Sequence, residues 1–159
     1  MKKMLLLSLM TALSIATFSA TTQVTAQLNV IDPGSEISLN LSSTSAAFGD
    51  VLITSGEVAL GTPITFTLEG TSAQNAHIAA PETIELTSGS NKITLATELA
   101  GSDFASHTAS GHTILRSNET LDAVSSGKLE GTLSAKLNLQ GTELPGRYTG
   151  TIALNAFYN

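Results

Sequence analysis

The sequence of 159 residues contains no cysteine and no tryptophan, and only 4% of its residues are aromatic. The lack of cysteine excludes disulfide bonds, a thiolate zinc site, an iron–sulfur cluster and a cysteine nucleophile. Lysine and arginine are scarce, with 7 against 13 aspartate and glutamate residues, so we expect no nucleic-acid partner. Stability must therefore come from packing and from backbone pairing.

Threonine and serine are abundant, with 22 and 19 residues, while only 13% of the residues are charged. Threonine is enriched in strands, and serine is common in the turns that join them. A chain of this composition is better suited to many short strands than to solvent-exposed helices.

The first 20 residues have the layout of a secretory signal peptide. Lys2 and Lys3 precede an apolar stretch that ends near Phe18 and is shorter than the ~20 apolar residues that span a bilayer. Small residues place the cleavage site anywhere from residue 19 to residue 26. Cleavage would remove both lysines and leave a net charge of −8. We predict bacterial export through the periplasm to the cell surface.

Alternation of apolar and polar residues is strongest near the C-terminus. Residues 129–139 and 148–158 each place apolar or small side chains on one face and mostly polar side chains on the other. Six matched positions at period two would be scattered around a helix. We predict two long strands, joined through the turn at 141–146 into a hairpin.

Shorter alternating segments precede this pair, at residues 37–41, 51–53, 64–68, 84–86 and 93–95. Glycine, proline and asparagine separate them at regular intervals. About seven strands without an amphipathic helix pattern predict an all-β fold, an antiparallel sandwich, as one domain over residues 32–159. Residues 100–120 have the weakest pattern and are predicted to form a polar loop or an irregular edge.

Residues 21–31 form an alternating segment of their own, directly before the break at Pro33. Its apolar positions are Val24, Ala26, Leu28 and Val30. Such a segment can be the first strand of its own domain. It can also pair with another molecule, because an extended peptide with one apolar face can add a strand to an open sheet.

Two motifs carry a family resemblance. The stretch from Val24 to Pro33 is similar to the donor arm of capsular-type fimbrial subunits. The chain end has a Pro/Gly turn, a Gly-x-Tyr-x-Gly motif and an aromatic residue near the terminus, at Gly146, Tyr148, Gly150 and Tyr158. The chain resembles the cysteine-free branch of chaperone-usher pilins, and its middle, from Phe66 to Leu95, is similar to secreted pilin-like bacterial proteins.

This resemblance implies an immunoglobulin-like antiparallel sandwich that lacks its last strand, which a neighbouring subunit supplies. The function that it implies is a structural fimbrial subunit that supports adhesion or biofilm, with identical or related pilins, a periplasmic chaperone and an outer-membrane usher as partners. A host or matrix receptor would be a further partner. The donor strand would insert Val24, Ala26, Leu28 and Val30 into an acceptor groove lined or flanked by Leu133, Leu137, Ile152, Leu154 and Ala156.

Signals for catalysis are weak. His107, His112 and Asp103 can be written as a metal cluster or as part of a Ser-His-Asp arrangement, but their spacing matches no zinc motif and no nucleophile elbow. The carboxylate pairs Asp50 with Glu57, and Glu82 with Glu85, are pairs by sequence only. We therefore predict a protein that is not an enzyme and has no metal site and no cofactor. The alternative function is a self-contained, secreted, adhesin-like binding module.

Overall fold

The computed structural model describes residues 21–31 and 37–158, and within the first of these ranges it describes the side chains of Thr25 and Ala26. The predicted signal peptide and the break at Pro33 lie outside the described residues.

The described residues form twelve strands and no helix, which confirms the prediction of an all-β protein. Because they form no helix, none of them belongs to a helix long and apolar enough to span a membrane. The strands are β1 (Thr21–Ile31), β2 (Ile37–Leu41), β3 (Ser45–Leu52), β4 (Gly56–Ala59), β5 (Ile64–Gly70), β6 (Asn75–Pro81), β7 (Thr83–Ser88), β8 (Asn91–Ala100), β9 (Phe104–Ala109), β10 (His112–Thr120), β11 (Lys128–Leu139) and β12 (Arg147–Tyr158).

Hydrogen bonds connect all twelve strands into one open sheet. Its main path runs in the order β2-β5-β11-β8-β7-β12-β6-β10-β9, while β4 pairs with β11 and β1 pairs with both β12 and β3. All these pairings are antiparallel except that of β1 with β12, which is parallel. The two long C-terminal strands, β11 and β12, therefore lie inside the sheet and not at its edges.

Period-two alternation determines which face of each strand is buried. In β11 the apolar positions from Leu129 to Leu139 are buried, while Glu130 and Lys136 between them are exposed. The buried side chains of the strands join into one hydrophobic cluster. Strands β2 and β12 contact each other without being ladder neighbours.

The predicted C-terminal hairpin is wrong. β11 pairs with β4, β5 and β8, whereas β12 pairs with β1, β6 and β7. Consecutive strands often pair, but not always, and a loop of seven residues is long enough to carry the chain to another part of the sheet. The estimate of about seven strands was also too low, because short or weakly alternating segments such as β4 and β9 were missed.

Residues 100–120 are more regular than predicted. Strands β9 and β10 form a hairpin at one end of the main path of the sheet. Its two-residue turn has positive φ at Ser110 (52°) and Gly111 (72°), which matches the twist of antiparallel strands. The prediction of an edge is confirmed, and that of a polar loop is wrong.

Candidate functional site

Strand β1 lies between β3 and β12, and we call this position the arm slot. β1 is parallel to β12 from the pair Gln23 and Arg147 to the pair Ile31 and Asn155. On its other side it is antiparallel to β3. Within the described part of the chain, β1 is the only ladder partner of β3. Without β1, β3 would lose its place in the sheet and one edge of β12 would be unpaired.

A row of small residues crosses the arm slot. Ala26 of β1 lies opposite Gly150 of β12 on one side and opposite Ala46 of β3 on the other. Ala26 and Ala46 are almost completely buried. A Cβ atom on Gly150 would lie 2.6 Å from Leu86 Cδ2 and 3.0 Å from the Glu85 carbonyl oxygen, so β7 packs closely against β12 here. At this level of the arm slot the core is filled and the three facing residues are small.

A β-bulge in β3 adapts this strand to pair with the arm. The register of β1 and β3 shifts after Val24, which lies opposite Gly49, while Thr25 lies opposite Ala47. Phe48 is the extra residue, and Gly49 beside it has a φ of 69°. Phe48 is partly buried and packs against the core. A bulge bends a strand and increases its twist, so it fixes one register between β1 and β3.

The predicted donor residues are in register with the strand chosen as acceptor. Val24 lies opposite Tyr148, Leu28 opposite Ile152 and Val30 opposite Leu154. Of the four donor side chains, that of Ala26 is described, and it is fully buried. The arm that fills the slot belongs to the same chain.

The predicted groove residues fall into two groups. Ile152 and Leu154 are buried on β12, directly beside β1. Ala156, Leu133 and Leu137 are also buried, but they have other ladder partners. Ala156 lies opposite Ile78 of β6, and the two leucines lie on β11 between β8 and the β5 and β4 strands. They belong to the shared core and are not brought next to the arm by strand pairing.

The C-terminal motif anchors the start of β12. Tyr148 is fully buried, and its hydroxyl donates a hydrogen bond to the Leu144 carbonyl at 2.8 Å. Burial raises the pKa of Tyr148, and the charge of Glu143 adds to this effect. Gly146 lies so close to β7 that a Cβ atom would be 2.5 Å from Ser88 Oγ, and Tyr158 is partly buried against the core.

Glu143 orders the loop that leads into this motif. Its two carboxylate oxygens accept hydrogen bonds from the backbone N–H groups of Gln140 and Gly141, at 2.6 and 2.9 Å. Burial acts to raise the pKa of Glu143, but several backbone N–H donors stabilise the carboxylate and lower it overall. The loop therefore holds the beginning of β12 in place beside the arm.

Two contributors to the slot were missed by the sequence analysis. β3 begins at Ser45, whereas the sequence indicated a strand only over 51–53, so Ala46 was not recognised as a neighbour of the arm. Leu86 was recognised as a strand residue but not as part of the slot. The small residues Ala26, Ala46 and Gly150 lie far apart in the chain, and no local pattern links them.

The residues considered for catalysis are dispersed. Glu85 pairs with Lys92 at 2.6 Å, and Glu57 pairs with Lys136 at 3.8 Å. The ring of His112 lies 3.0 Å from the Ser110 carbonyl oxygen, in the hairpin turn. In the ranges that the structure describes, no three His, Asp or Glu side chains form a possible metal site.

His77 is the one buried histidine among the described residues. Its ring stacks on Phe157 at 5.1 Å, with an angle of 11° between the planes, and its Nδ1 atom has no hydrogen-bond partner. Burial lowers the pKa of His77. A backbone hydrogen bond with Asn75 opposes this effect, while the charges of Arg116 and His107 add to it. His77 therefore packs as a neutral ring that joins β6 to β12.

Comparison with known proteins gives one family. No curated protein matches the chain. The model of a domain of unknown function, DUF4402, matches residues 29–158. The match begins within β1 and continues to the end of β12, so it includes nearly all of the described sheet. The chain therefore belongs to the DUF4402 family.

Proposed function

We propose that this protein is a structural subunit of a bacterial surface fimbria, which polymerises by donor-strand exchange and supports adhesion or biofilm. The observation that carries the proposal is the position of β1 in the slot between β3 and the C-terminal strand β12. This is where a donor strand has to lie if it completes the core of a pilin-like subunit.

Because β1 already fills the slot of its own chain, the exchange of arms between two subunits changes the free energy little. A second copy of the chain carries an identical strand, so its arm can form the same two ladders and the same buried contacts. Burial of a large apolar arm residue contributes ~1.5–3 kcal/mol. Because the arm of one copy enters the slot of the next, repetition produces an open, head-to-tail filament.

The immunoglobulin-like sandwich architecture is part of the same proposal. Strands with one buried face, with β2 and β12 in contact without being ladder neighbours, support an immunoglobulin-like sandwich whose last strand is the arm. In a subunit whose arm is not yet inserted, the open slot has to be covered during export. A periplasmic chaperone and an outer-membrane usher are the partners that we propose for this step.

A chain that starts at Asp32 tests the donor role of the arm. We expect it to be unstable or to aggregate, because β3 has lost its ladder partner. A synthetic peptide of residues 20–31 should raise its unfolding midpoint. A peptide with Leu28→Asp should not, whereas one with Asn29→Asp, on the other face of the strand, should still do so. A truncated chain that is already stable and indifferent to all three peptides would contradict strand donation.

In bacteria, Leu28→Asp in the full chain should abolish polymers while export of the subunit continues. Leu28 lies opposite Ile152 in the ladder and alternates onto the same strand face as the buried Ala26, so we expect the charge to lie on the buried face, where an unpaired charge is strongly unfavourable. Asn29→Asp is the matched control. Polymers are measured by electron microscopy and by sedimentation of surface extracts, and normal filaments with Leu28→Asp would refute the proposal.

The alternative function, a self-contained secreted binding module, is favoured by one observation. β1 closes the sheet of its own chain, so the fold does not require a second copy. In that case the full chain stays monomeric at high concentration, and the arm never leaves its slot. Sedimentation of the full chain after unfolding and refolding at high concentration distinguishes the two functions, because refolding gives the arm the opportunity to enter a second copy.

A further inference from the structure

The polarity of the arm is specified on both of its sides. β1 is parallel to β12 and antiparallel to β3. A strand inserted in the opposite direction would be antiparallel to β12 and parallel to β3. Parallel and antiparallel ladders place their N–H and C=O groups differently, so both ladders would have to be rebuilt. The bulge at Phe48 would then face a different part of the arm.

The register of the arm is specified by the row of small residues. Ala26 is fully buried between Gly150 and Ala46, where Leu86 fills the space that a side chain on Gly150 would need. A shift of two residues keeps the same face of the arm inward but brings Val24 or Leu28 to this level. Overpacking of a filled core costs about 1–3 kcal/mol, so a small side chain is favoured at the position between Gly150 and Ala46.

We propose that the slot accepts the arm of a second copy only parallel to β12, with Ala26 opposite Gly150. Assembly is then a swap of β1 that keeps every pairing seen within the single chain, and each subunit must first release its own arm. The self-filled slot is thus an autoinhibited state. This inference rests on the proposed function. It adds the polarity and the register of the inserted arm, and the autoinhibited state in which a subunit fills its own slot.

Cross-linking between two variants tests the polarity, because the native chain has no cysteine. One copy carries Gln23→Cys in the arm. The other carries either Arg147→Cys, the parallel partner of Gln23, or Ala153→Cys, its partner in a reversed strand with Ala26 still opposite Gly150. The two acceptor positions are ~20 Å apart along β12. A size tag on one copy identifies the mixed dimer.

The two copies are unfolded together, refolded at high concentration and treated with a short bismaleimide. We expect mixed dimers with Arg147→Cys and none with Ala153→Cys. Mixed dimers with Ala153→Cys alone would overturn the parallel register while strand exchange itself stands. No mixed dimers in either experiment, with efficient cross-linking of the Gln23→Cys and Arg147→Cys pair inside one chain, would overturn strand exchange and the inference with it.

A second variant tests the register. Ala26→Leu in the copy that donates the arm should lower the yield of mixed dimers by about tenfold, whereas Ala26→Gly, which adds no volume, should lower it much less. The acceptor copy carries Arg147→Cys and no other change, so the same slot is present in both experiments. Equal yields with Leu and Gly at position 26 would show that the volume of this residue does not determine the register of the arm.

Discussion

Gly131 in β11 is a position where the core leaves no room for a side chain. A Cβ atom there would lie 2.3 Å from Phe66 Cζ and 2.7 Å from the Ala100 carbonyl oxygen. The Phe66 ring that fills this space is buried and packs edge-on against Phe104, with ring centres 5.9 Å apart. One glycine therefore lets an aromatic pair fit between three strands.

We predict that Gly131→Ala lowers the free energy of unfolding by about 1–3 kcal/mol, because Phe66 and the backbone of β8 must move. Urea unfolding followed by circular dichroism measures the change. Gly61→Ala is the control, since a Cβ atom there has no neighbour within 4 Å. Equal stability of the two variants would show that the core relaxes around Phe66 at no cost.

His77 makes stability depend on pH. Because burial lowers its pKa below the ordinary value of 6.5, the unfolded chain takes up a proton at higher pH than the folded chain does. The contribution of the neutral ring to the free energy of unfolding is fully present above pH 6.5 and is lost as the pH falls from there toward the lower pKa of the folded state. Arg116 and His107 are the charged or titratable neighbours that oppose a second positive charge.

We therefore expect the free energy of unfolding to fall between pH 7 and pH 5, and His77→Phe to remove much of this decrease. His112→Gln, at an exposed turn, is the matched control. A separate loss is expected below pH 4.5, where the backbone-bonded carboxylate of Glu143 becomes protonated. If the free energy of unfolding of His77→Phe falls as steeply between pH 7 and pH 5 as that of the native chain, other groups cause the decrease.

At the scale of the elements, β9 and β12 have opposite positions in the sheet. β9 is an edge strand, and five of its six residues are exposed. β12 has strands on both sides and is mostly buried along its inner face. The two strands thus differ in how many of their backbone groups water can reach.

This difference predicts the pattern of amide hydrogen exchange. In β12 we expect the slowest exchange around Thr149 and Asn155, because these residues have a ladder partner on each side. In β9 only the N–H groups that face β10 should be slow, and their alternate neighbours fast. Nuclear magnetic resonance measures both in one experiment. Uniform protection along β9 would indicate that another strand covers its outer edge.

The elements were predictable from the sequence to different extents. The inner faces of β11 and β12 follow directly from their alternating residues, and Leu133, Leu137, Ile152, Leu154 and Ala156 on these faces are all buried. The hairpin between these strands was wrong because alternation gives a face and not a neighbour. β9 was missed because an edge strand has little apolar surface to bury, so its pattern is weak.

At the scale of the whole molecule, distant parts of the chain have to meet before the sheet is complete. β1 pairs with β12, more than 120 residues away along the chain. The closure of long loops must precede the contacts that stabilise them, so such topologies fold slowly. We predict refolding in milliseconds to seconds, measured by stopped-flow dilution from urea. Refolding within microseconds would contradict it.

The sequence by itself determined the all-β class, the inner face of the long strands and the alternating arm, because these follow from local side-chain periodicity. It also excluded every structure and every chemistry that needs cysteine. Only the tertiary structure decided that β1 is parallel to β12, that β3 covers its other side and that Ala26, Ala46 and Gly150 form one row. The physical reason is that a ladder depends on backbone register between distant segments, and period two leaves that register open.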